Sequence, residues 1–365
     1  MTIKTLFPLI AAALLSACRI EIDVPSSGVV STASGAYTCE GVAVCSISVS
    51  DVFFDEAFVA EPATGFEFIG WEQRGRGLCG GSSDECRLTT TGFTESEALL
   101  SFLDDPDETF YLKPRFQSTG FNSLLIGHSF FRPFAEALVE DAARAGIANH
   151  RGEIVFAGGQ NGAPEALWDN ANRRAEIQAV LDRGGIELFA MTYHNAYPSL
   201  RGYRLWIDYA LQQNPEVRIA VALPWGSYPE EVDASAYDQL WSEFQAGDWH
   251  AGIDQLRREY PGTEIFSIPY GRSAIELRNL YEDGSLTDVD ALKSRSVDAI
   301  FRDDLGHADE ILIELGRLVW LTAVYDIDMA GYDYQPPYEA DLKALAQKIM
   351  DEHERDFQRY DAPYR

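Results

Sequence analysis

Ser123-Leu124-Leu125-Ile126-Gly127-His128-Ser129-Phe130 is the stretch whose reading decides the fold. Its first half is a short apolar run, suited to a strand buried on both faces. The glycine, histidine and serine then bring the chain into a tight turn directly before a helical pattern. From Ser118 to the C-terminus such runs alternate with helical-period segments. Strands are expected at Ser123–Ile126, Glu153–Phe156, Ile186–Met191, Arg218–Leu223 and Glu264–Ile268. Helices are expected at Phe131–Ala145, Pro164–Asp182, Leu200–Gln213, Ser235–Tyr260, Ser273–Tyr281, His307–Tyr325 and Tyr338–Phe357. Apolar strands joined by helical crossovers predict an α/β fold, a doubly wound, three-layer, five-stranded parallel sheet. Ligands of such sheets bind outside the carboxyl ends of the strands.

The composition narrows the function classes. The chain has 365 residues, with 58 Asp plus Glu against 29 Lys plus Arg and a formal charge of −29. No basic footprint for phosphate stands out, so nucleic acid is excluded as a general partner. The hydrophobic content of 46% supports a sizeable core, and the length suggests about two domains.

Upstream of the α/β region, residues 30–116 carry short alternating runs such as Phe66-Glu67-Phe68-Ile69-Gly70-Trp71, separated by Gly, Pro, Ser and Asp. They predict a small, mostly β domain. Residues 18–29, with Pro25-Ser26-Ser27-Gly28, read as a tether. Residues 1–17 have one positive charge, at Lys4, an apolar run from Leu6 to Leu15, and small residues before Cys18, which is a signal-peptide layout. Leu15-Ser16-Ala17-Cys18 resembles the lipobox of bacterial lipoproteins. The resemblance implies lipidation at Cys18, a mature charge of −29 − 1 = −30 once Lys4 is removed, and membrane attachment through a lipid anchor at the bacterial cell envelope, with Arg19 suggesting the outer membrane. Export permits disulfides. Cys39 with Cys45 and Cys79 with Cys86 are the preferred pairs of three possible connectivities, and a zinc site is the runner-up. The β domain is weakly similar to the repeat modules of bacterial surface proteins.

Ser129, on a strand-to-helix turn, has its hydroxyl near helix N-terminal amides, where an attacking alkoxide and a developing oxyanion are favoured; the alternative is a helix N-cap. Asp303-Asp304-Leu305-Gly306-His307, before a long apolar helix, supplies a base: Asp304 and His307, three apart, can point the same way, so that the carboxylate orients the imidazole. The order of these segments over roughly residues 120–330 resembles the SGNH, or GDSL-type, hydrolase family, whose fold is flavodoxin-like. The resemblance implies Ser129 as nucleophile, His307 as general base and Asp304 as its orienting acid. It implies an oxyanion hole from the Ser129 amide, Gly162 of the Gly158-Gly159-Gln160-Asn161-Gly162 loop, with Gly159 as runner-up, and the Asn195 side chain. Two positions depart from the family pattern. Gly-His-Ser stands where the family has Gly-Asp-Ser, and Tyr193-His194 replaces a glycine-rich lead-in to the asparagine.

His128, His194 and Trp225 are candidates to line a substrate pocket, with structural hydrogen bonding and core packing as their alternatives. The segment Leu240–Trp249 is a candidate lid or a core stripe. No metal-ligand spacing or P-loop is present, so neither metal nor cofactor is expected. The expected function is a surface-anchored serine esterase acting on carboxylic esters, with O-acetylated polysaccharide as the favoured substrate. The alternatives are a glycan O-acyltransferase and a non-catalytic lipoprotein that binds glycan or protein.

Overall fold

The computed structural model describes residues 18–359, apart from 25–26, 41–43, 64–65, 104, 106 and 148. The signal segment, residues 1–17, lies outside them. Two compact units meet at Gln117/Ser118.

In the first unit Cys18–Asp23 is the central strand of three, antiparallel to Val44–Val49 and parallel to Thr109–Leu112. A tether was expected here, and the correction has a simple cause. Cys18, Ile20 and Ile22 alternate inward with Arg19, Glu21 and Asp23, the period of a half-buried strand. Gly28–Thr32, at the far end of the expected tether, is also a strand, paired with Asp55–Pro62. A four-stranded sheet in the order Thr38–Cys39, Gly28–Thr32, Asp55–Pro62, Cys86–Thr89 completes most of the unit. Its small core of Ile20, Ile22, Val30, Phe58, Trp71 and Leu112 is stapled by disulfides Cys39–Cys45 and Cys79–Cys86, the pairing preferred from the sequence. Cys18 is the free cysteine; its thiol is buried and donates to the Val49 carbonyl at 3.5 Å.

The second unit holds five parallel strands, numbered here β1 (Asn122–Gly127), β2 (Arg151–Phe156), β3 (Leu188–Thr192), β4 (Arg218–Ala222) and β5 (Ile265–Ile268). Their spatial order is β2-β1-β3-β4-β5, the flavodoxin-like, SGNH-type order. The inner strand β3 is buried at every position and so reads as a continuous apolar run; of the two edge strands, β5 is equally buried whereas β2 is part-exposed. Around the sheet lie helices α1 (Arg132–Arg144), α2 (Pro164–Asp169), α3 (Ala171–Leu181), α4 (Arg201–Gln213), α5 (Ala234–Glu243), α6 (His250–Glu259), α7 (Arg272–Glu282), α8 (Glu310–Tyr325) and α9 (Leu342–Glu352).

Three expected helices differ locally. The 164–182 helix breaks at Asn170, whose side chain accepts from the Asn172 and Arg173 amides at 3.1 Å and so caps α3. The 235–260 helix is interrupted by a π-helical turn at Phe244–Trp249. The helix expected from His307 begins only at Glu310. Before it, Phe301 bridges Ala308, the Arg302 amide donates to the His307 carbonyl at 2.9 Å, and the Asp309 amide donates to the Ile300 carbonyl at 3.0 Å. His307 therefore sits in a closed loop, which shapes the site.

Candidate active site

The strand order reverses beside β1, which lies between β2 and β3, so a crevice opens beyond the ends of β1 and β3. Gly127 ends β1. A Cβ there would meet Phe131 Cδ1 and Thr192 Oγ1 at 2.6 Å, so only glycine lets the turn carrying Ser129 close against β3.

Ser129 Oγ lies 2.8 Å from His307 Nε2, across 178 residues of sequence. On the other side of the ring, His307 Nδ1 lies 2.8 Å from Asp303 Oδ2 and 3.1 Å from Oδ1. The carboxylate facing the imidazole is thus Asp303, and the expected orienter, Asp304, is corrected. Asp304 is 87% exposed and pairs with Lys293. The closed loop is the reason. Asp303 Oδ1 accepts from the amides of Gly306 at 3.2 Å and His307 at 3.1 Å, a local aspartate turn that points the carboxylate back at the ring. A spacing of three would need the helical turn that starts only at Glu310. Burial pushes the Asp303 carboxyl up, but the amide and imidazole of His307, with the Gly306 amide, outweigh it and hold the group below its ordinary range.

The imidazole stands edge-on to Phe130, ring centroids 5.1 Å apart, and Phe130 stacks on Trp225 at 5.0 Å. Trp225 Nε1 donates to the Gly306 carbonyl at 2.8 Å. Trp225, expected as a pocket residue, therefore also clamps the loop that carries His307, a role with no sequence signal of its own.

His128 is buried between β1 and β3. The Phe130 amide donates to its Nδ1 at 3.3 Å, which leaves Nε2–H to donate to the Tyr193 carbonyl at 2.7 Å. Burial pushes the His128 imidazolium pKa down to about 4, so the ring is neutral at pH 7. Both ring nitrogens are engaged by backbone, so a polar contact from His128 to substrate, as a binding residue would make, is not what its hydrogen bonds serve. The half-buried His194 stands edge-on to it at 5.1 Å, and the Ala196 amide donates to its Nδ1 at 3.1 Å.

A cavity of about 480 Å³ opens from Ser129. His128, His194, Asn195, Trp225 and Gly159 line the part near the serine. Tyr237, Leu240, Trp241, Phe244, Ile275 and Leu305 add to the apolar wall, with Ser227, Tyr228 and Glu231 as polar members, so the Leu240–Trp249 segment does contribute a wall over the sheet end. Gly162 is not in the lining. It is buried against the end of β1, where a Cβ would meet the Gly127 carbonyl oxygen at 2.3 Å, while the runner-up glycine of the same loop, Gly159, faces the cavity. On the other side of Ser129 is a separate hollow of about 450 Å³, lined by Arg132, Glu136, Phe156, Arg302, Asp303 and His307. A larger polar hollow of about 780 Å³ reaches Asp303 but neither Ser129 nor the imidazole.

No family model matches the chain, and no curated protein matches it. Among the solved structures that resemble it are two of low identity. One is a DUF4886 family protein from Bacteroides uniformis, 15% identical, covering 62% of this chain and 92% of that one, with a TM-score of 0.40. The other is the periplasmic domain of a lipopolysaccharide acetyltransferase from Salmonella ser. Paratyphi A, 13% identical, covering 56% of this chain and 82% of that one, with a TM-score of 0.32.

Of the residues singled out in the sequence, Ser129 and His307 meet directly, and His128, His194, Asn195 and Trp225 gather around Ser129. Asp304 and Gly162 do not face the serine. Asp303 was overlooked beside Asp304; its signal is an aspartate four residues before a histidine in a glycine-containing loop. No group of three or more His, Cys, Asp or Glu side chains arranged to hold a metal ion occurs among the described residues.

Proposed function

We propose that the second unit is a serine hydrolase of SGNH type acting on carboxylic esters. The observation that carries this is the continuous hydrogen-bonded series from Ser129 Oγ through His307 to the Asp303 carboxylate at the switch point of the sheet. In the proposed cycle Ser129 Oγ attacks the carbonyl carbon while its proton passes to His307 Nε2. The carbonyl π pair moves onto oxygen, where the Ser129 and Gly159 amides and the Asn195 side chain supply hydrogen bonds. Collapse expels the alcohol, which takes the proton from His307. Water then repeats the sequence on the acyl-enzyme, and Ser129 is restored. Asp303, held ionised, keeps Nδ1–H pointed at itself and stabilises the imidazolium.

A non-catalytic binding role is disfavoured by the same geometry, because a decayed site has no need to retain the series. The Gly-His-Ser departure is also accounted for, since His128 bridges backbone at two strand ends. A fluorophosphonate probe should label wild-type protein stoichiometrically at Ser129 and leave Ser129→Ala unlabelled. Absence of labelling in folded wild-type protein would sink the proposal. Transfer to a sugar hydroxyl differs only in the acceptor, and the polar hollow at His307 has room for one; comparing products with and without added glycan separates the two.

Envelope location rests on the lipobox-like Leu15–Cys18 and on two disulfides, which persist in oxidising compartments. Lipidation there requires the Cys18 thiol to leave its buried place beside the Val49 carbonyl, and metabolic incorporation of an alkyne fatty acid, lost in Cys18→Ser, is the expected signature of the anchor.

A further inference from the structure

Resting on the hydrolase reading, we infer that the preferred ester carries a medium-length apolar acyl chain, seated in the cavity walled by Trp225, Tyr237, Leu240, Trp241 and Phe244, with a polar alcohol in the hollow at Arg132 and Arg302.

Two features of the site support this orientation. Ser129 lies between two hollows of unlike chemistry, one walled mainly by aromatic and aliphatic side chains, the other by the charged groups of Arg132, Glu136, Arg302 and Asp303 alongside Pro133 and Phe156. The leaving alcohol must take its proton from His307 Nε2, and His307 lines the polar hollow but not the apolar cavity. The alcohol therefore departs on the arginine side. Gly159 and Asn195, which offer donors to the carbonyl oxygen, line the apolar cavity, so the acyl carbonyl and its chain belong there.

Size argues against acetate as the acyl group. An acetyl group has three heavy atoms and displaces on the order of 90 Å³ of water, at about 30 Å³ per molecule. The cavity holds about 480 Å³, within the range that accommodates whole small ligands. Filling it with acetate would leave water against Trp241 and Phe244, whereas each further buried methylene improves binding about fourfold while the chain fits. The walls are braced for a fixed shape. The buried Arg278 donates to the Pro229 carbonyl and, at 2.6 Å, to the Val232 carbonyl, and Tyr237 Oη donates to the Gly226 carbonyl at 2.7 Å.

Isomeric esters provide the test, since ethyl octanoate and octyl acetate share one composition and differ only in which side of the ester is apolar. Wild-type protein should show kcat/KM at least tenfold higher for ethyl octanoate, and p-nitrophenyl octanoate should exceed p-nitrophenyl acetate similarly. Leu240→Arg, at a half-exposed position of the cavity wall, should reduce the octanoate-to-acetate ratio at least fivefold. A ratio at or below one for either pair in protein that still labels at Ser129 overturns the inference and leaves the hydrolase reading standing. Turnover aside, calorimetry on Ser129→Ala should show sodium octanoate binding and sodium acetate not, with Leu240→Arg weakening the former. Equal affinity for both anions, or none for octanoate, overturns the inference whatever the catalytic outcome.

Discussion

Asp303 Oδ2 lies 2.8 Å from Nδ1 of His307, while its neighbour Asp304 points away to Lys293. One peptide unit separates an orienting carboxylate from a surface ion pair. Asp303→Asn, which offers the wrong hydrogen-bond partner to Nδ1, should lower kcat/KM for a p-nitrophenyl ester by about 10³ to 10⁴-fold. Asp304→Asn should change it by less than about threefold, because an exposed ion pair contributes little. Equal losses in the two variants would refute the assignment.

Placing at this position the aspartate of the Gly-Asp-Ser pattern, in His128→Asp, should harm the protein. The new carboxylate would face the Tyr193 carbonyl oxygen, to which the imidazole N–H now donates, and a buried acceptor would meet an acceptor. A loss of about 2–3 kcal/mol is expected in urea denaturation. Wild-type stability in that variant would show that the ring does not bridge β1 and β3.

Gly127→Ala should be costly for a different reason. The added methyl would overlap Phe131 and Thr192, so either the Ser129 turn or β3 must move. Overpacking of this kind costs about 1–3 kcal/mol, and displacing the serine from its 2.8 Å contact should reduce kcat well beyond any loss explained by unfolding. Folded fraction and kcat measured on one sample separate these effects.

Stability should fall on acidification. Burial pushes His128 and His150 down to about 4 and His353 to about 3, with the nearby His250 adding to the effect on His353. An unfolded histidine binds its proton near about 6.5, so the unfolded chain takes up protons first. The contribution of these neutral rings is complete above about pH 6.5 and is lost as pH falls from there toward their folded values, by about 2 kcal/mol per ring at pH 5. Urea midpoints at pH 7.5 and pH 5 should differ accordingly, and His150→Gln should flatten the slope by about one proton. Coincident midpoints would contradict neutral burial.

Reduction should act on one unit alone. All four bridged cysteines lie before residue 118, and loops of six and seven residues contribute about 2 kcal/mol each by chain entropy. Dithiothreitol should lower the melting transition of the first unit while ester turnover by the second stays within about twofold.

The parallel sheet was legible in the sequence because its signal is local. Each inner strand is buried on both faces and so reads as an uninterrupted apolar run, as Leu188–Thr192 does, and its position survives whatever surrounds it. The disulfide pairing and the meeting of Ser129 with His307 were legible for related reasons, one from short spacing and the other from segment order. Residues 18–23 carried the alternation of a strand as well, but the neighbouring lipobox-like segment favoured a tether, and only pairing with Val44–Val49 and Thr109–Leu112 decides it. The choice between Asp303 and Asp304 was beyond the sequence. It depends on where α8 begins, and that is set by the Phe301–Ala308 bridge and by Trp225 holding Gly306 from 81 residues away. Likewise the apolar cavity draws its walls from α5, α7 and the loops that follow β1, β3 and β4. Periodicity records which side of an element is buried. Which buried sides meet, and what space they leave between them, is determined by long-range packing and hydrogen bonding.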